Sequence, residues 1–156
     1  MTDTDTIVTF NLDRQFLGIR VSEVHEVLLA QTLTPVPRAH PVVAGLINMR
    51  GQIVSVVDVR RMLRLPPRPQ EFPAPVNVIV RSGRELISLL VDSVGGVLEL
   101  ESRLLTAPPD TTSPETRNLF RGAYQLPGQL LLIFDTERAI AALVSQTGSK
   151  ASRDTK

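Results

Sequence analysis

The stretch "GLINMRGQIVSVVDVRRML", residues 45–63, sets Arg50 between two apolar runs and follows it at once with Gly51. The Val- and Ile-rich segments on either side predict two short strands, Leu46–Asn48 and Ile53–Val57, with Arg50-Gly51 at the connection. A buried strand would reject that guanidinium, and a plain turn does not need it. A second copy further along the chain decides the reading. "GAYQLPGQLLLIFDTER", residues 122–138, overlays residues 45–61, so that Gly45, Gly51 and Asp58 meet Gly122, Gly128 and Asp135, each 77 positions on. Upstream, "FLGIRVSEVHEVL" (16–28) overlays "LISLLVDSVGGVL" (86–98) at an offset of 70. "TPVP" and "TAPP" lie between the blocks in the two copies. Three matches in one order mark a duplication. They predict two similar small β units, roughly 7–65 and 76–144, joined by the Pro-rich connector 66–75 and packed against each other.

In the second copy Leu126-Pro127-Gly128-Gln129 has the signature of a type II turn, with proline at its second position and glycine supplying positive φ at its third. By homology Met49-Arg50-Gly51-Gln52 is expected to be the same turn. The fold then requires Gly51 but not Arg50, and proline should replace Arg50 without loss. Arg50 is left free for binding. Asp58 and Asp135 each precede a helical pattern, "VRRML" and a final helix running to about Val144, so both are expected to be N-caps.

The remaining strands are expected at Ile7–Leu12, Leu17–Val21, Val24–Leu29, Val76–Val80, Glu85–Val91, Val97–Leu100 and near 120–126 and 129–134, with Gly83 and Gly95-Gly96 at turns. Residues 145–156 read as a polar, disordered tail. With 42% apolar residues but only 4% aromatic, the core must be built from Val, Leu and Ile, as suits many short strands. A chain of 156 residues is about one domain. Cysteine is absent, which excludes disulfides, thiolate metal sites and cysteine nucleophiles. "MTDTDTIVTF" has neither the basic nor the apolar region of a signal peptide, and no charge-free run reaches the ~18 residues of a membrane span. A cytoplasmic protein is expected.

Net charge is +1, so no global field draws the chain to nucleic acid or membrane. Residues 38–68 nevertheless carry six arginines, Arg38, Arg50, Arg60, Arg61, Arg64 and Arg68, against the single acid Asp58. A solvated basic face accounts for such a run. A nucleic-acid-binding small barrel would also use it, but the aromatic stacking residues of such modules are missing there. Neither His25 nor His40 has a partner at metal-ligand spacing, no phosphate-cradling glycine motif is present, and no serine sits in a nucleophile elbow. A hydrolase would require Asp58 and Asp135 to share a cleft, which two N-caps do not do. No catalytic residue, cofactor or metal is predicted. A binding module fits better.

Gly45, Asn48, Arg50, Gly51, Asp58 and Arg60 run Gly-x-x-Asn-x-Arg-Gly, six residues, then Asp-x-Arg. This resembles the CheW-like family of chemotaxis coupling proteins, and the likeness extends over residues 7–144. Ser55 stands where that family usually has Pro, and Met49 and Val59 where it has Leu. The resemblance implies a mainly β fold of two SH3-like five-stranded barrels on a shared core, with short helices and a C-terminal helix. It implies an adaptor that joins chemoreceptor cytoplasmic tips to the regulatory domain of a CheA-type histidine kinase, at receptor arrays on the inner face of the membrane. A non-flagellar phosphorelay, such as one controlling pilus motility, is the alternative output. By motif match the receptor-binding residues are Val24, Glu26, Gly45, Asn48 and Arg50, lining a groove between barrels. Opposite charges at Glu26 and Arg50 are expected to pair, since both vanish in the second copy, at Gly96 and Pro127.

Overall fold

The structure, a computed structural model, describes residues 3–110 and 113–143. The expected tail 145–156 and the helix end at Val144 lie outside the described residues. Strands β1 (Thr4–Leu12) and β2 (Gln15–Arg20) form the first hairpin, and a 3-10 turn (Val21–Glu23) leads to β3 (Val24–Leu28). The hairpin of β4 (Val43–Met49) and β5 (Gln52–Asp58) precedes the short helix α1 (Val59–Met62). The strand order then repeats, with β6 (Val76–Ser82), β7 (Glu85–Val91) and β8 (Ser93–Glu101), although the second 3-10 turn (Ser102–Leu104) follows its strand. Helix α2 (Pro114–Arg117), β9 (Phe120–Leu126) and β10 (Gln129–Phe134) follow, and residues 136–143 are helical.

Two five-stranded sheets result, in the orders β8-β1-β2-β10-β9 and β3-β6-β7-β5-β4. The duplication is visible down to ladder register. Val24 opposes Val80 and Val27 opposes Val78 in one sheet, while Val94 opposes Phe10 and Val97 opposes Val8 in the other. The bulge between Val43 and Gly45 on β4 recurs at Phe120 and Gly122 on β9. The two sequence units are not the spatial units, however. Each sheet takes one hairpin, β1–β2 or β6–β7, from one repeat and its other three strands from the other repeat. The parallel pairs β2–β10 and β5–β7 stitch the exchange. The connector 66–75 therefore does not divide one sheet from the other.

The exchange follows from where apolar side chains are buried. Phe10, Leu12, Leu17 and Ile19 from one sheet pack with Val57, Val78, Val80 and Leu89 from the other in a core shared by both. Each sheet also has its own apolar interior, one around Ile47, Val54, Val56 and Ile79, the other around Ile7, Tyr124, Leu131 and Ile133. Central strands are thus buried on both faces, so their sequences read as apolar runs rather than clean alternation. The expected hairpin turn at Gly95-Gly96 is absent, because both residues lie inside β8. A Cβ at Gly95 would stand 2.6 Å from the Thr9 Oγ1, so the glycine there allows two strands to approach.

The turn equivalence holds in part. Gly51 (φ +86°) and Gly128 (φ +75°) occupy matching positions in two-residue hairpins. Arg50, though, is itself left-handed at φ +53°, whereas Pro127 is locked by its ring near −65°. Two positive φ values define a type I′ turn, whose twist suits a hairpin, in place of the expected type II. Proline cannot adopt the Arg50 conformation, so the expected neutrality of Arg50→Pro is withdrawn.

Candidate functional site

The β4–β5 tip is built from its own polar groups. The Asn48 Oδ1 accepts the Gly51 N–H at 2.8 Å and thereby holds the type I′ turn. Across from it, the Arg50 Nη2 donates to the Glu26 Oε1 at 2.7 Å. The expected pair is present. Arg50 is 74% exposed and Glu26 22%, so the carboxylate is the anchored member and the guanidinium faces solvent. The Glu26 Oε2 is buried with no protein partner.

A β-bulge at His25 aims the carboxylate. Val24 opposes Val80 and Glu26 opposes Ile79, which are adjacent residues of β6 facing opposite ways. Regular alternation would have set Val24 and Glu26 on one face; the bulge parts them. Val24 packs against the shared core, and Glu26 turns toward Arg50. Of the five residues expected at the site, the structure brings Glu26, Asn48 and Arg50 together. Gly45 lies lower on β4, where a Cβ would meet the Thr34 carbonyl oxygen at 2.8 Å. Its counterpart Gly122 would meet the Thr106 carbonyl oxygen at 2.6 Å, so the fold demands both glycines.

The expected caps stand where the spacing put them. The Asp58 Oδ1 accepts the Arg61 N–H at 3.3 Å, and the Asp135 Oδ1 accepts the Arg138 N–H at 3.0 Å. Two charged pairs escaped the sequence reading. Arg60 is buried and makes a bidentate pair with Asp92 at 2.9 and 2.6 Å, while donating to the Pro66 carbonyl at 2.7 Å. Its bond to Asp92 raises the Arg60 pKa further. Burial acts to raise the Asp92 carboxyl, but the Arg60 hydrogen bonds, the Asp13 N–H and the charge of Arg68 hold it below the ordinary carboxylate range. The second pair is Glu23 with Arg121, at 3.0 Å. Separations of 32 and 98 residues left no local pattern to read.

Among the described residues no group of three or more His, Asp or Glu could hold a metal ion, and no helix is long and apolar enough to cross a membrane. Of the six arginines in the run, Arg50, Arg60 and Arg61 each pair with a carboxylate, Arg60 buried and the other two exposed. Sheets joined by a shared core, with charge presented on a rigid turn, define a binding module.

Comparison with known proteins assigns the module. The CheW-like domain model matches residues 6–144, and the chain belongs to that family. It is 26% identical to the chemotaxis protein CheW of Thermotoga maritima, over 91% of each chain. It is 32% identical to protein FrzA of Myxococcus xanthus over 98 residues, covering 60% of this chain and 58% of that one. The crystal structure of the scaffolding protein TtCheW from Thermoanaerobacter tengcongensis superposes with a TM-score of 0.78 at 23% identity, over 86% of each chain. That likeness bears on the fold.

Proposed function

We infer that the protein is a chemosensory coupling adaptor, which joins the cytoplasmic tips of chemoreceptors to the regulatory domain of a CheA-type histidine kinase. Beside its family membership, the observation that carries this reading is Arg50, exposed and held left-handed at a turn whose sister copy does without it. Glu26, Asn48 and Arg50 form the receptor contact, and Val24 and Gly45 support it from behind. The guanidinium fork suits bidentate contact with a carboxylate or with helix-terminal carbonyls. The protein acts as a scaffold without catalysing a reaction or binding a cofactor, and Asp58 and Asp135, its recurrent carboxylates, serve as caps. It works in the cytoplasm and meets the membrane only through receptors.

Each sheet is read as an SH3-like barrel. The chain leaving edge strand β3 reaches the far edge through paired hydrogen bonds between Thr34 and Leu46, and Thr106 and Ala123 do the same after β8. A pull-down with a receptor signalling fragment and a kinase regulatory domain tests the bridging role. Both should be retained at once, and Arg50→Glu should lose the receptor fragment alone. Displacement of one partner by the other would refute it.

A further inference from the structure

We propose that Arg121 is a positioning residue for the Glu26–Arg50 site, acting across the junction of the two sheets through Glu23 and strand β3. The proposal rests on the receptor reading for its consequence, but its structural part stands alone. Glu23 closes the 3-10 turn that opens β3, and the Arg121 Nη2, on β9 of the other sheet, donates to its Oε1 at 3.0 Å. Three residues later Glu26 reaches Arg50 at 2.7 Å. One short segment is therefore tied at one end to the opposite sheet and at the other to the turn tip.

Besides these two ties, the segment is held by Val24 against the shared core, by His25 with Arg81 at 3.3 Å, and by one strand ladder. Strand β3 is a five-residue edge strand, hydrogen-bonded to β6 alone among the described strands and interrupted by the bulge at His25. Short, bulged edges lie at the low end of local stability, so side-chain anchors decide their position. The Glu23–Arg121 pair is also poorly built as a stabilising device. The Glu23 Oε2 and the Arg121 Nε are buried without protein partners. Burial, with Asp135 and Glu137 nearby, pushes the Glu23 carboxyl up against the opposing charge of Arg20 and the Thr136 side chain.

The duplication is an internal control. At the offsets of 70 and 77, Glu23 and Arg121 correspond to Ser93 and Ala44, while Glu26 and Arg50 correspond to Gly96 and Pro127. All four charges occur in one arrangement and none in its twin, although the strands and bulges are the same in both. The fold does not need the outer pair any more than the inner one.

The sister residues supply the test. Arg121→Ala installs the side chain that the matching bulge already accommodates, and Arg121→Lys keeps the charge. In the full chain, Arg121→Ala should speed amide hydrogen exchange at Glu26 and Val27 and shift the Arg50 Nε–H resonance, with Arg121→Lys restoring part of both. A response confined to Glu23 and the neighbours of Arg121 overturns the proposal. Affinity for a receptor signalling fragment should fall on the order of 3- to 30-fold in Arg121→Ala, and not fall again when the change is added to Arg50→Ala. Losses that multiply show a route independent of Arg50 and also overturn it. If Arg50→Ala itself leaves the affinity unchanged, the receptor reading fails, while exchange and resonance still decide whether Arg121 positions the site.

Discussion

Arg50 occupies a backbone conformation that glycine or asparagine would take at less expense, and only its side chain accounts for its presence. Arg50→Gly should therefore fold with an equal or higher melting midpoint and lose receptor binding. Arg50→Pro should lose about 1–3 kcal/mol in stability, since its ring excludes φ +53°. If thermal melts show Arg50→Pro to be as stable as the parent, the type I′ assignment is wrong. The Glu26 pair, with Arg50 largely exposed, should contribute only about 0–1 kcal/mol to stability. Charge reversal at either residue should then weaken receptor binding far more than it lowers the melting point. Reversing both should recover part of the binding, and additive losses in that double-mutant cycle would show that the groups do not cooperate.

Among the elements, the bulged strands β4 and β9 make the sharpest demand on sequence. Each accepts a bridging threonine on its outer edge, and each has a glycine where any side chain would strike that threonine's carbonyl. Gly45→Ala and Gly122→Ala should each destabilise by about 1–3 kcal/mol in urea titrations. Losses at both sites are expected, since each added Cβ would meet a bridging threonine's carbonyl. A loss at Gly45 alone, together with lost binding, would return Gly45 to the contact surface. Strand assignment was largely legible in the residues: the strands at 120–126 and 129–134 stand as expected, because turn glycines punctuate apolar runs. The bulge at His25 was not legible, since an extra residue in a ladder is defined only by the partner strand.

For the molecule as a whole, the exchange of hairpins makes the two repeats interdependent. Halves cut within residues 66–75 should each fail to fold alone, yet assemble when co-expressed, because either sheet needs strands from both. Independent folding of either half would contradict the observed strand order. The buried Arg60–Asp92 pair, which ties α1 to the β7–β8 junction, should be among the most sensitive charged sites. Asp92→Ala leaves a buried guanidinium unpaired and should destabilise by about 3–5 kcal/mol at neutral pH. Asp92 has its pKa lowered on folding, so its ionised form favours the folded state. That contribution is present above the unfolded value of about 3.9 and is lost as pH falls through the lower folded value. The difference between parent and Asp92→Asn in urea midpoint should accordingly shrink with acidification; a gap independent of pH would separate it from ionisation.

By itself the sequence determined the duplication, the mainly β architecture, the two helix caps, the family and the opposed charges at Glu26 and Arg50. Each of these rests on local pattern or on a comparison of one stretch with another. Only the tertiary structure decided which hairpin belongs to which sheet, that Arg50 is left-handed, that a bulge parts Val24 from Glu26, and that Glu23 meets Arg121. These depend on contacts between residues far apart in the chain. Burial of two apolar faces selects those contacts for the molecule as a whole, and no local run of residues encodes that choice.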